Sequence, residues 1–252
     1  MRHLLLAFLP FTLALAQDPP PAARPAESPT ERVVSPRTEA DADLAPLLAK
    51  MAEMVKAGAD GAALLAAKEL QPLREVTKFR QEVRDRAPLR DVAIAPAGEP
   101  GTPLVVRGLV VDSDKKPLAG ALLYAYHTSA KGWYSDRAPH LYSAGGQGGD
   151  FGHARLFGYV RTDDQGRFEL RTIRPGGYPD SDLPEHIHWH LAVDGKPVAG
   201  GEIVFDDDPR LTPAARQEVG ASAVTKPVKQ PDGSLIVRPV LTVDKSRLPA
   251  KK

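Results

Sequence analysis

Apolar positions recur at three- and four-residue spacing between Asp41 and Arg86. Leu44, Leu47, Leu48, Met51 and Val55 come first; after a break at "GADG", Leu64, Leu65, Leu73, Val76, Phe79 and Val83 continue the stripe. That period puts one apolar face on successive helices and predicts a helical segment over residues 41–92. The face could dock on the rest of the chain or pair with a second copy. Beyond residue 99 the period changes. "LVVRGLVVDSDKKPLAGALLYAYHT" reads as two apolar strands around a turn, and "LFGYVRTDDQGRFELRTIRPGGY" as another pair around Asp164-Gln165-Gly166. "HIHWHLAVDGKPVAGGEIVFDDDP" gives a third pair around Asp194-Gly195. A helical or irregular excursion from Pro209 to Val219 precedes a last hairpin or strand in "KQPDGSLIVRPVLTVD". Short strands with regular turn signals and no helices between them predict an antiparallel β-sandwich over residues 99–246, so the chain is mainly β with an N-terminal helical segment.

The first forty residues add two appendages. Arg2 and His3, the apolar run Leu4 to Leu13 and the small residues Ala14-Leu15-Ala16 match a secretory signal peptide over residues 1–16. The run is too short to span a bilayer comfortably. The expectation is an exported protein, periplasmic or extracellular in a bacterium, with no membrane association once the signal is cleaved. Residues 17–40, rich in Pro, Ala and Glu, read as a disordered linker.

Composition narrows the chemistry. With 33 Lys and Arg against 32 Asp and Glu, the net charge is +1, which argues against a dedicated nucleic-acid surface. There is no cysteine, so disulfides, thiolate zinc sites and cysteine nucleophiles are excluded, and any metal must be held by nitrogen and oxygen. No serine stands in a G-x-S-x-G context, which weakens a hydrolase reading.

The candidate chemistry lies in "GGYPDSDLPEHIHWHL", residues 176–191. On a strand, residues two apart share a face with Cα atoms roughly 6.5–7 Å apart, so His186 and His188 can converge on one ion. The alternative is an exposed strand with histidines facing water. His190 extends the row too far to join the same shell and reads as a neighbour. Tyr178 follows the sharp turn of Gly176-Gly177. A tyrosine, whose free pKa is about 10, needs a strong Lewis acid to ionise near neutral pH, and ferric iron is one. Tyr134, in "AKGWYSD", is the best second tyrosine. Tyr124, Tyr126 and Tyr159 lie inside strand patterns and read as core or surface aromatics, with Tyr142 in reserve.

In this order of motifs the chain resembles the intradiol ring-cleavage dioxygenases, the catechol and protocatechuate enzymes. The resemblance runs over about residues 104–209 and rests on "KGWYSD", "RPGGYP", "PEHIHWHL" and "EIVFDDDP". The flanking strand motifs also occur in transthyretin-like and carboxypeptidase-regulatory sandwich modules, which lack that tyrosine and histidine set. The resemblance implies Fe(3+) held by Tyr134, Tyr178, His186 and His188, with water or hydroxide as a fifth ligand. It implies a catechol-type aromatic substrate opened by O2 to a muconate-type dicarboxylate, with Tyr134 and Tyr178 as catalytic groups. By the same analogy, N-terminal helices offer a homodimer arm. Two positions depart from the family pattern. Leu183 stands three residues before His186, where the family carries arginine, and Glu202 stands where it carries glutamine. Arg155, Arg161 or Arg174 could supply the missing cation. The loop "SDRAPHLYSAGGQGGDFGHARLFG", with His140, Tyr142 and His153, could line the mouth of the site. The alternative function is a non-catalytic exported sandwich that binds a partner and retains a metal site.

Overall fold

A computed structural model describes residues 42–135, 154–179, 181–219 and 224–250. The signal and linker regions and His140, Tyr142 and His153 lie outside them. Three helices come first: α1 (Ala45–Lys56), α2 (Gly61–Ala66) and α3 (Thr77–Asp85). Asp60 caps α2 by accepting the Ala63 amide at 2.8 Å. Asp91 and Val92, the last residues of the expected helical segment over 41–92, instead begin strand β1 (Asp91–Ala93) in a sheet.

The other strands are β2 (Pro103–Asp112), β3 (Leu122–His127), β4 (Leu156–Arg161), β5 (Arg167–Ile173), β6 (His186–Val193), β7 (Lys196–Phe205), β8 (Val224–Thr225), β9 (Val228–Lys229), β10 (Leu235–Val237) and β11 (Val240–Val243). Helix α4 (Pro213–Val219) occupies the predicted excursion. One sheet runs β1-β5-β2-β10-β9, with β11 continuing along β2; the other runs β4-β3-β6-β7-β8.

The architecture is mainly β, as the pattern predicts, with two corrections. The sheets are mixed: β1 lies parallel to β5, β10 and β11 parallel to β2, and β8 parallel to β7. Pro239 separates β10 from β11, and its carbonyl accepts the Leu109 amide. Further, of the first three predicted strand pairs the third, β6 with β7, is a hairpin, and the expected last hairpin is β9 with β10. β2 and β3 lie in opposite sheets, as do β4 and β5, so these connections cross the sandwich. Both crossings are made by turns that close on themselves. Asp112 accepts the amides of Asp114 and Lys116, and Asp163 those of Gln165 and Arg167.

The helical stripe is part of the same core. Leu44, Met51, Leu64, Leu65, Leu73, Val76, Phe79 and Val83 are buried with the strand residues, and Leu47, Leu48 and Val55 are partly buried against them, so the stripe packs on the chain's own sandwich. Two buried arginines stitch helices to strands. Arg74 donates to the carbonyls of Ile94 (2.8 Å) and Leu65 (2.9 Å). Burial, reinforced by Arg155, lowers its pKa to about 9. Arg80 donates to the Ala154 carbonyl (2.8 Å) and the Tyr124 hydroxyl and lies 3.8 Å over the Phe157 ring. Among the described residues no helix is long and apolar enough to cross a membrane.

Candidate metal centre

Alternation along β6 makes the site. Ile187, Trp189 and Leu191 are buried on one face, while His186, His188 and His190 share the other. Across the sheet, His188 pairs with Tyr126 of β3 on one side and Glu202 of β7 on the other. The Tyr126 ring stacks on His188 at 4.7 Å and 17°, fixing the imidazole plane.

Two loops deliver the tyrosines, and glycines let them touch. A Cβ at Gly132 would stand 2.1 Å from the Gly177 carbonyl oxygen, and one at Gly176 would stand 2.4 Å from the Ala130 carbonyl oxygen. Gly132 also has φ +79°, a conformation glycine adopts at no steric cost. Thr128 and Ser129 lock the contact: the Thr128 hydroxyl donates to the Gly176 carbonyl (2.7 Å) and the Gly176 amide to the Ser129 carbonyl (2.9 Å). Main chain therefore packs on main chain, two residues from each ring.

The four side chains meet. The Tyr134 and Tyr178 hydroxyls are hydrogen bonded to each other, and the Tyr134 oxygen lies 2.8 Å from His188 Nε2. The Tyr178 oxygen lies 3.1 Å from His186 Nε2 and 3.5 Å from His188 Nε2, and the two Nε2 atoms are 3.1 Å apart. Donors held about 2.0–2.1 Å from one ion stand roughly 2.9–3.4 Å from each other in octahedral to tetrahedral arrangements; the nitrogen–nitrogen and nitrogen–oxygen spacings lie in or within about 0.1 Å of that range, and the two hydroxyls would part to share an ion. His186 Nδ1 lies 2.7 Å from the Pro184 carbonyl, which can only accept, so Nδ1 carries the proton and Nε2 presents a lone pair. Burial, reinforced by His186, pushes the His188 pKa down to about 3, so its ring is neutral at physiological pH and can act as a donor to a metal. Glu202 Oε1 lies 3.8 Å from His186 Nε2 and 3.6 Å from His188 Nδ1, and His186, His188 and Glu202 together could hold an ion. Two oxygens and two ring nitrogens, without sulfur, form a hard donor set suited to an oxidised first-row metal.

The remaining predicted residues separate from this cluster. His190 stacks 6.2 Å from Tyr124 and 6.0 Å from Tyr126, and burial lowers its pKa. Leu183 is 51% exposed. Two of the three cations considered as substitutes for an arginine there are held elsewhere. Arg155 forms a bidentate pair with Glu99 (2.6 and 2.7 Å), and Arg174 is bound by Glu185 and Asp207. Arg161 donates to the Gly120 carbonyl at 3.4 Å. The sequence reading missed Arg210, whose guanidinium occupies the space a Cβ on Gly177 would fill, one residue from Tyr178. Its loop is tied to the histidine strand by buried Asp208, which accepts the amides of Arg210 (2.8 Å) and Glu185 (2.5 Å). The reading also missed Tyr126 as the partner of His188. The alternating tyrosines of "LLYAYH" carried the signal, but not which strand they would face.

A β-sandwich in which two loops bring tyrosines to an H-x-H pair on one sheet face offers oxygen and nitrogen donors that could hold a metal. The family model described as "Dioxygenase" matches residues 81–212, and the chain belongs to the intradiol ring-cleavage dioxygenase family. Catechol 1,2-dioxygenase 1 of Acinetobacter lwoffii is 27% identical over 154 residues, covering 50% of this chain and 47% of its own. Catechol 1,2-dioxygenase of Acinetobacter baylyi is 31% identical over 133 residues, covering 42% and 39%. The chain thus spans half or less of these relatives. The dioxygenase domain of a dioxygenase carbohydrate-binding protein fusion from Streptomyces sp. SirexAA-E is 25% identical. It covers 63% of this chain and 89% of its own, with a TM-score of 0.48.

Proposed function

We propose that this protein is a ferric-iron intradiol dioxygenase that opens a catechol-type aromatic with O2 to a muconate-type dicarboxylate. The observation that carries the reading is the meeting of the Tyr134 and Tyr178 hydroxyls with both Nε2 atoms of His186 and His188. Four donors drawn from two loops and a strand have no need to converge for folding, and their spacing suits one ion. Bound ferric iron would supply the Lewis acidity that lets both catechol oxygens ionise and the electronic path by which O2 reaches the ring.

The residues themselves divide the work. His186 and His188 are fixed by the Pro184 carbonyl and the Tyr126 ring respectively, so they hold position. Tyr134 is 6% exposed and belongs to the permanent set. Tyr178 is less buried, so its hydroxyl oxygen is the one open to an incoming catechol and able to take its proton. Glu202, 38% exposed beside both histidines, is a second acceptor for a catechol proton. Arg210 brings positive charge next to the Tyr178 loop, offsetting the anionic character of a bound catecholate.

The test begins with colour. Protein loaded with ferric iron is expected to absorb in the visible through tyrosinate-to-iron charge transfer, and Tyr134→Phe and Tyr178→Phe are each expected to weaken and shift that band. Protein that takes up no iron and stays colourless would refute the ligand assignment. If the colour appears, oxygen uptake with a panel of catechols decides the activity. Leu183, an exposed apolar residue at the position where the family pattern carries arginine, favours a second reading as a non-catalytic metal-retaining module. Coloured protein with no uptake on any catechol would establish it.

A further inference from the structure

We infer that Glu202 is a positioning residue that sets the tautomer of His188 and, through it, the strength of the metal site. The inference rests on the iron-site reading above and deepens it. His186 has its Nδ1 proton fixed by the Pro184 carbonyl at 2.7 Å. His188 has no such carbonyl. Its Nε2 lies 3.1 Å from the bare His186 Nε2 and 2.8 Å from the Tyr134 oxygen. With no acceptor at Nδ1, the ring can carry its proton on Nε2 and donate it to His186 or to the Tyr134 oxygen, and a ring in that form cannot bind a metal through Nε2.

Glu202 opposes this. It lies directly across from His188 in the β6–β7 ladder, and its Oε1 is 3.6 Å from His188 Nδ1, the ring edge turned away from the tyrosines. That is longer than a hydrogen bond by about 0.7 Å, a gap that a small torsion of a part-exposed glutamate closes. The neighbours of Glu202 on that face of β7 leave the position to it. Gly200 has no side chain, and a Cβ there would meet His190 Nδ1 at 2.7 Å; Val204 is apolar. Among the described residues, no other acceptor is recorded for His188 Nδ1. A carboxylate there favours the proton on Nδ1, frees Nε2 for the ion, and makes the imidazole a more basic donor. Oε1 lies 3.6 Å from Nδ1 of His188 and 3.8 Å from Nε2 of His186, so the measurements below separate this role from direct ligation.

Two measurements test it on the full chain. In metal-free protein, 15N-detected histidine spectra are expected to show His188 protonated on Nδ1, with Glu202→Leu moving the proton to Nε2 in a substantial fraction of molecules. In ferric titrations, Glu202→Leu is expected to lose about 10- to 100-fold in affinity. Glu202→Gln, which keeps an acceptor but removes the charge, is expected to stay within about threefold, because its amide oxygen meets the same N–H. Its charge-transfer band should move to longer wavelength, since a less basic His188 leaves the ion more electron-poor. Three results would overturn the inference: His188 protonated on Nε2 in the wild-type protein, Glu202→Leu unchanged in tautomer and affinity, or Glu202→Gln as weak as Glu202→Leu. The last would make Glu202 a direct ligand. The spectra of the metal-free protein decide the tautomer even if wild type takes up no iron, so a failure of the iron-site reading is seen separately.

Discussion

Gly176→Ala isolates the glycine contact that joins the two tyrosine loops. Gly176 does not have a positive φ, so alanine brings no backbone strain of its own. The added Cβ would stand 2.4 Å from the Ala130 oxygen, 2.8 Å from the Ala130 carbonyl carbon and 2.8 Å from the Gly132 nitrogen, all main chain. The loops must part by on the order of 1 Å, since they cannot yield by rotating a side chain. Overpacking of this kind costs about 1–3 kcal/mol. The Thr128-to-Gly176 and Gly176-to-Ser129 hydrogen bonds stretch with it, at about 0.5–1.5 kcal/mol each. The expected loss is about 2–6 kcal/mol, or roughly 4–24 °C in Tm for a domain of this size. Gly177→Ala is the control. Its Cβ meets Arg210 Nη1 at 1.5 Å, but that is the tip of a flexible side chain that can swing away, so a change within about 1 kcal/mol is expected. Calorimetry on both variants, with ferric titration alongside, reads the outcome. Gly176→Ala should also weaken iron binding, because Tyr134 and Tyr178 sit two residues from the contact. A Gly176→Ala protein that melts within about 2 °C of wild type, or the same loss in Gly177→Ala, would refute the reasoning.

Burial lowers the pKa of fully buried His127 from 6.5 to about 4, so unfolding below neutral pH takes up a proton. The stabilising effect is present in full above pH 6.5, and about 3 kcal/mol is lost as pH falls through 4. Urea midpoints of wild type and His127→Gln at pH 7 and 4.5 should therefore differ in pH slope, and equal slopes would count against the linkage. Arg80→Met removes the donors to the Ala154 carbonyl and Tyr124 hydroxyl and leaves them buried; a loss of about 2–4 kcal/mol is expected by denaturant unfolding. Tyr126→Leu removes the ring stacked on His188. Ferric affinity should fall more than in Tyr126→Phe, which keeps the stack worth about 0.5–1.5 kcal/mol. Equal affinities in the two variants would show that the stack does not hold the imidazole.

How legible the molecule was depends on the range of the interaction that decides each feature. Strand identity is local: alternation in "HIHWHL" puts Ile187, Trp189 and Leu191 inside and the histidines on the other face, and this can be read from six residues. The gathering of His186 with His188 follows from the same period. Pairing is not local. "LLYAYH" and "LFGYVR" each look like half of a hairpin with a neighbour in sequence. In the fold they pair with each other, and β3 also pairs with β6, because their turns at Asp112 and Asp163 carry the chain to the opposite sheet. That is why Tyr126 read as an ordinary aromatic until β3 was laid beside β6. The cation near Tyr178 was sought in the arginines of strands and strand ends. Arg155 and Arg174 are neutralised there by Glu99, Glu185 and Asp207, carboxylates distant in sequence. Arg210 escaped notice because its place is set by Gly177, which has no side chain to exclude it, and by a buried aspartate two residues back. Glu202 shows the limit most clearly. By sequence it was a misplaced negative charge, and only the β6–β7 register, which sets it against the free nitrogen of His188, gives that charge a use.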